Sequence, residues 1–432
     1  MRETINKLKQ ANNFKEIGNI LPESFYNKGS LVLIILMILM VDFETINRYL
    51  TRHQTLEYMV KYYYVIGYLT IAFVLFSILA KGSAMGMPGI KNYFKGHVYE
   101  IFFVLLILWS GLCMMLSNAR NDSFLGHWFR NSGFRSYLIF GSFYICGKFL
   151  RRDRINRLII YATFMITNTV QNILLITNHF GLYGSRTGAF YNRNHSAYFM
   201  VIGILSSAGI VILSKKVISK IVGLICIAIS VWCMIMNNTF GTYIALIMAF
   251  VVLLIISIFV KREILAGTIL VILVFALTSA MTNYYTGGVS NNFKVTTGDA
   301  KSVASISGIS DNAGSGRIGL WKMAVNQIKK TPVFGVGPDA YSDEPHNEIL
   351  QLGVETGIPG AIFYLLGLMV IAFCILKKIK EMETFTIIDG IVVFGYIVSS
   401  MFGVIFFYTA VYYYIYLGML SENNKKIIVQ NR

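Results

Sequence analysis

The sequence predicts an all-α, polytopic membrane helix bundle of about twelve transmembrane helices, and three observations carry that expectation. The 432 residues are 55% hydrophobic and only 14% charged, with a mean hydropathy of +0.60. A soluble domain carries about a quarter charged residues. The apolar residues gather into long runs, and about 20 apolar residues cross a bilayer as a helix. These runs do not alternate apolar with polar positions, which excludes a membrane-spanning barrel.

Twelve apolar runs are expected to be the spans: 30–43, 62–80, 101–117, 137–147, 158–176, 197–213, 221–237, 242–260, 264–281, 358–376, 386–406 and 407–421. The first and fourth are short, and the last two nearly merge. The 29 polar residues that precede the first run are too many for a cleavable signal peptide. Orientation follows from the distribution of Lys and Arg. With the N-terminus inside, the inner segments hold 24 of the 38 basic residues and the outer segments 14. "KFLRRDRINR", from Lys148, is the strongest inward signal. Cytoplasmic retention of Lys and Arg therefore explains much of the net charge of +17, and nucleic acid is not an expected partner. Both termini are expected in the cytoplasm.

The fifth span carries Asn168, Gln171 and Asn172, and Asp42 stands near the outer end of the first. Polar groups at membrane depth usually face a bundle interior or cavity. The run "YYYIY" from Tyr412 reads as interfacial belt and packing. Cys113, Cys146, Cys226, Cys233 and Cys374 all lie in apolar runs without metal-like spacing, so they read as small buried residues rather than disulfides.

One hydrophilic segment is unlike the rest. Residues 282–357 separate spans nine and ten on the outer side and divide the chain into three parts. These are 1–281 (spans 1–9), 282–357 (an extracytoplasmic catalytic loop) and 358–432 (spans 10–12 and a cytoplasmic tail). The first half of the loop is rich in Gly, Ser, Asn and Thr, which suits a lid. The second half opens with a helix that Ser315 can cap. In it Ile318, Trp321, Val325 and Ile328 fall on one face. The turn-rich "TPVFGVGPDAYSDE" follows. Ser342 or Asp343 then caps a short helix with Pro345 in its first turn.

Two residues of this loop stand where chemistry is favoured. Arg317 lies in a first helical turn. The helix dipole there disfavours a cation but favours a bound anion, so the guanidinium and free N–H groups can converge on a phosphate. His346 also falls in a first turn, where an imidazole stays neutral and can accept a proton. Asn347 and Glu348 can orient that ring or a sugar hydroxyl, and Tyr341 lines the same loop. A third stretch, "GSRTGAFYNRNHSAYF" from Gly184, sets Arg186, Arg193, Asn192 and Asn194 beside Phe190 and Tyr191, with Gly188 allowing close backbone approach. Cations with aromatics suit a phosphate-sugar ligand. The chain has no Walker loop, HExxH or GxSxG. Asp339, Asp343 and Glu344 are the one conceivable oxygen-ligand set, and the preferred reading has no metal.

In order along the chain, these stretches resemble the O-antigen ligase and polymerase superfamily, bacterial membrane glycosyltransferases of the C-type fold. The resemblance lies in Arg186 of "SRTGAFYNRN", in Arg317, Trp321, Gly335 and Gly337 of "SGRIGLWKMA…TPVFGVGPDAY", and in His346, Gly353 and Gly357 of "HNEILQLGVETG". It covers Gly184 to Gly360 by motif and the first 180 residues by topology alone. Related sequences usually have proline between the two asparagines, where this chain has Arg193, so either Arg186 or Arg193 is the main phosphate contact.

The resemblance implies a donor glycan on undecaprenyl diphosphate, an acceptor hydroxyl, and no metal, nucleotide or other cofactor. It implies the bacterial cytoplasmic membrane, with the catalytic loop outside. His346 is then the general base, and Arg186, Arg193, Arg317, Asn194, Asn347, Glu348 and Tyr341 the diphosphate- and substrate-binding residues. Polymerisation of a lipid-linked repeat (capsule, exopolysaccharide or O-antigen) is the preferred function, since a composition rich in Lys, Asn and Ile suits an AT-rich genome and a Gram-positive host without lipid A. The donor and the acceptor are both lipid-linked, and a chain-length regulator or other assembly proteins are further expected partners. Ligation onto lipid A core or onto protein is the alternative within the family. A polysaccharide flippase is the alternative outside it, although such carriers usually divide into two six-span halves around an inner loop.

Overall fold

The computed structural model describes residues 2–51, 57–151, 153–177, 189–190, 192–291, 293–294, 316–403 and 407–421. Among these, the regular structure is entirely helical. Two short helices, α1 (Arg2–Gln10) and α2 (Phe14–Ile20), precede α3 (Glu23–Thr51), α4 (Glu57–Gly96) and α5 (Val98–Leu116). After the short α6 (Arg120–Leu125) come α7 (Phe134–Leu150), α8 (Arg154–Ile176), α9 (Arg193–Leu213), α10 (Val217–Met236), α11 (Phe240–Phe259) and α12 (Leu265–Thr286). The chain closes with α13 (Arg317–Lys330), α14 (Glu348–Lys378), α15 (Thr384–Ser400) and α16 (Phe407–Leu420).

Each of the twelve apolar runs overlaps a helix, and the eleventh outlasts its helix, which ends at Ser400. Nine of those helices, among the described residues, are long and apolar enough to cross a membrane; α7, α15 and α16 are the shorter ones. Their outward faces are apolar: Ile218, Ile221, Val222 and Ile225 of α10 are 77%, 51%, 41% and 53% exposed at helical spacing. Water would not tolerate such a stripe, and lipid does. The protein is an integral membrane helical bundle.

At the centre stands α9, which packs against α8, α10, α11, α12, α15 and α16. The polar residues of α8 turn inward, as expected. Asn168 and Asn172 donate to Ser230 Oγ at 2.8 and 2.9 Å, and Gln171 and Thr167 donate to Asp42 at 2.9 Å each. The tyrosine run of α16 is not an interfacial belt. Tyr412, Tyr413 and Tyr416 are fully buried, with Tyr412 donating to Met37 O and Tyr416 paired with Ser206. All five cysteines are free, and Cys374 alone is only half-buried. Near the other end of the bundle, Arg157 pairs with Asp389, which also accepts from Tyr161.

Two helices break in the same way. Gly86 in α4 has φ 67, ψ 175 and Gly357 in α14 has φ 70, ψ 178, and each stands two residues before a proline, Pro88 and Pro359. That backbone region is open essentially to glycine alone, and proline is preorganised to restart a helix in its first turn. The boundaries of two expected elements shift. Helix α12 continues to Thr286, so the first residues after 281 are helical. Residues 295–315, most of the glycine-rich half of the loop, lie outside the described residues, and Ser315 with them. The N-cap of α13 is Gly316 (φ 84), with no side-chain cap. On the expected face of α13, Ile318, Trp321 and Ile328 are half-buried, while Val325 is 40% exposed and Ala324 is the buried residue in its place.

Candidate functional site

The break at Gly357 organises the site. A helical carbonyl is normally bonded by the N–H four residues on. Here Ile358 N donates instead to Pro332 O (2.8 Å), and position 359 is proline and has no N–H, so Val354 and Glu355 lose their helical partners. Backbone groups of the preceding loop take their place. Val336 N donates to Val354 O and Gly337 N to Glu355 O, both at 2.9 Å, while Trp109 Nε1 donates to Thr356 O at 2.8 Å. Such an approach needs Gly335 (φ 63), where a Cβ would lie 2.5 Å from the Glu355 carbonyl. The Gly-x-Gly turn is thus a backbone clip on an interrupted helix.

A second tie holds the same loop. Asp339 (φ 55) is fully buried and accepts from Arg130 Nε at 2.5 Å, His127 N at 2.7 Å and Ser132 N at 2.9 Å. Arg130 Nη2 donates to Asp339 O at 3.1 Å, and Nη1 lies 3.7 Å from Glu344. Asp339 and Glu344 are therefore committed to a guanidinium. A cavity of about 210 Å³ opens beside this pair, lined by Asp122, His127, Phe129 and Ser342 among others.

Between the clip and α14 stands His346. It is not in a helical first turn: Asn347 is the N-cap of α14, accepting from Leu350 N at 3.0 Å, and neither Ser342 nor Asp343 caps. His346 precedes the cap with φ 49, a left-handed conformation that costs a residue other than glycine free energy. The sequence placed it near a helix N-terminus to keep it neutral. The structure gives other causes: burial, and then the charge of Arg317, lower its pKa below the ordinary imidazole value. A neutral ring beside a fixed cation can accept a proton from a hydroxyl while the cation faces an anion.

Arg317 is the first residue of α13, as expected, with its guanidinium carbon 6.0 Å from the centre of the Phe402 ring. Tyr341 is half-buried, and burial, followed by the Asp343 charge, raises its pKa, which keeps it a hydroxyl at neutral pH. Asn347 is engaged at both ends, as cap and as donor to Met401 O at 3.3 Å. Glu348 is buried, and its Oε1 accepts from Tyr364, which also meets Tyr413. Arg193 and Asn194 open α9, where Asn192 caps by accepting from Asn194 N and Asn237 binds Arg193 O. Arg193 is exposed. Arg186 lies outside the described residues.

Sequence reasoning passed over four residues. Arg130 looked like one outer-loop cation among several. Trp109 lay inside an apolar run, and so did Tyr198, which lies within reach of the Arg317 charge. His195, given no role by the sequence, is buried at the start of α9, bonded to Tyr408 (2.7 Å), and interacts electrostatically with His346. The one available signal was its place in "NRNHSAY", within the stretch already marked by Arg193.

Fold and site together define a polytopic helical membrane protein that gathers an arginine, a histidine and a clipped, interrupted helix at one end of its bundle. Residues 224–365 match the O-antigen ligase family model, from α10 into α14, taking in Arg317, Asp339 and His346. Over that stretch the chain is similar to the O-antigen ligase family, which supports a place in the O-antigen ligase and polymerase superfamily. No curated protein matches the chain.

Proposed function

We propose that the protein is a polysaccharide polymerase of the bacterial cytoplasmic membrane. It transfers a growing glycan from undecaprenyl diphosphate to a hydroxyl of the next lipid-linked repeat. The observation that carries this reading is the family match over residues 224–365, which takes in Arg317 at the start of α13 and His346 just before the cap of α14, with the Arg317 charge acting on the ring. The asymmetry of Lys and Arg supports an extracytoplasmic place for that end, with both termini inside.

In this reading the acceptor hydroxyl attacks the anomeric carbon as its proton passes to His346. The bond from that carbon to the diphosphate oxygen breaks, and the electron pair leaves with the diphosphate. Arg317, with Arg186 or Arg193, offsets the charge that develops there. Tyr341 and Asn194 line the substrate path. Asn347 caps the helix that follows His346, and Asn347 and Glu348 lie next to the ring on the substrate side. The carrier is a lipid, which explains why the site stands at a bundle end next to apolar, lipid-facing helices.

The test is reconstitution. The purified protein in liposomes, given lipid-linked repeat units and no ion gradient, should lengthen the glycan on its carrier. Transfer only to a lipid A core or protein acceptor would favour the ligase reading. Movement of the lipid-linked glycan across the bilayer without any lengthening or transfer would favour a flippase and refute the enzyme reading.

A further inference from the structure

Two buried donors without a partner, among the described residues, lie near Arg317, one a helical turn along α13 and one against the Phe402–Gly403 turn that the guanidinium faces. Among the described residues, the Tyr198 hydroxyl and Trp321 Nε1 are buried and bonded to nothing. Tyr198 is 2% exposed and sits in the most buried of the candidate spans, α9. Its hydroxyl abuts Gly403, where a Cβ would fall 1.4 Å away, so the Phe402–Gly403 turn and Tyr198 meet. The Phe402 ring in turn lies 6.0 Å from the Arg317 guanidinium carbon. Trp321 is one helical turn beyond Arg317 on α13, so its indole leans towards the same end of that helix. Phenylalanine would fill the space of Tyr198 against His195 and Tyr396 equally well, at 5.8 and 6.4 Å between ring centres. A buried donor with no acceptor carries a cost that a bound ligand can relieve, and these two are the ones that adjoin Arg317 and the Phe402 ring it faces.

The three groups share one chemistry. A guanidinium, an indole N–H and a phenolic O–H are all donors, and a ligand rich in acceptor oxygens would satisfy them together. We propose that the Tyr198 hydroxyl and the Trp321 indole N–H complete, with Arg317, the pocket that receives the diphosphate of the lipid carrier. The proposal rests on the reading of Arg317 above and adds two neutral donors to it. They hold the phosphate oxygens without adding charge where the loop helix meets the end of the bundle.

Farnesyl diphosphate and inorganic pyrophosphate are the probes, with binding measured on the detergent-solubilised full chain. Tyr198→Phe and Trp321→Phe should each raise the Kd of farnesyl diphosphate roughly tenfold or more, the usual weight of a hydrogen bond to a charged group. Pyrophosphate should lose affinity in parallel, which assigns the contact to the diphosphate rather than the prenyl chain. Without ligand, Tyr198→Phe should unfold at the same or a higher temperature, since the deleted donor was unpaired, whereas Trp321→Phe also removes packed ring area and is read by binding alone. A lower unfolding temperature for Tyr198→Phe would show that its hydroxyl has a structural partner and would overturn the proposal. Arg317→Ala separates the two levels. If it weakens binding while both phenylalanine variants bind normally, the two donors are not part of the site, and the role of Arg317 stands. If Arg317→Ala also binds normally, both fail.

Discussion

Asp339→Ala should free the loop that carries His346 while leaving the bundle inserted. The Asp339 carboxylate accepts three bonds, from Arg130 Nε, His127 N and Ser132 N, at 2.5, 2.7 and 2.9 Å. Its removal leaves a buried guanidinium without its counter-charge and two N–H groups without acceptors. Breaking one side of a buried pair costs about 3–5 kcal/mol, and each orphaned donor on the order of 1–3 kcal/mol more. These terms overlap, so about 3–5 kcal/mol is the working figure for the loop. At 1.4 kcal/mol per tenfold, amide exchange across 331–347 should accelerate by at least roughly 10²-fold. The stack of Trp109 on Phe334 (5.2 Å) and the clip at Val354 and Glu355 remain, so α5 and α14 stay paired. Hydrogen exchange followed by mass spectrometry reads the loop directly, and transfer activity should fall about 10²-fold as His346 loses its position. Asp339→Asn keeps an acceptor for one N–H group and should fall between. Unchanged exchange in the alanine variant would refute the idea that this carboxylate fixes the loop.

The pH profile of transfer should have its acid limb below about 6.5, the ordinary histidine value, because burial and Arg317 lower the His346 pKa in the folded protein. The same depression means that the unfolded chain binds a proton more readily, so this residue subtracts stability as pH falls through about 6.5 and costs nothing above it. Arg317→Ala should move the acid limb upward, and an unmoved limb would show that the two groups are not in electrical contact. Gly357→Ala would place a Cβ 2.0 Å from Val333 O at φ 70; we expect the clip to open and activity to vanish in protein that still inserts, and normal activity would contradict the role given to the break. For topology, single cysteines at Ser307 and Ser421 in a background without native cysteines should react differently in intact cells. An impermeant reagent should label position 307 and spare 421, and the reverse pattern would invert the account of the site.

The helices were legible because most apolar runs are nearly as long as a span and are separated by charged or polar segments. Polar residues in α8 were legible as inward-facing for the same reason, since lipid leaves them no other place. The site was legible in its parts and less so in its assembly. Arg317 and His346 stood out because they fall in a loop unlike the rest of the chain. The clip was visible only as a Gly-x-Gly pattern, because its function depends on carbonyls some twenty residues further on that a backbone break sets free. The cap of α14 was misplaced by a few residues. Ser342, Asp343 and Asn347 are all good caps by type, and only the fold decides among them. Arg130, Trp109 and Tyr198 were hidden because their partners are 209, 247 and more than a hundred residues away, and local pattern carries no signal of that reach.

The most direct measurement is single-turnover transfer by the purified protein with His346→Ala and His346→Gln. A positioned base contributes on the order of 10²–10⁴ in rate. The account predicts that both variants fold, bind farnesyl diphosphate as the unaltered protein does, and lose transfer by that factor, because an amide can hold a hydroxyl but cannot take its proton at neutral pH. Transfer restored by glutamine would contradict the account and leave His346 as a group that only positions the acceptor.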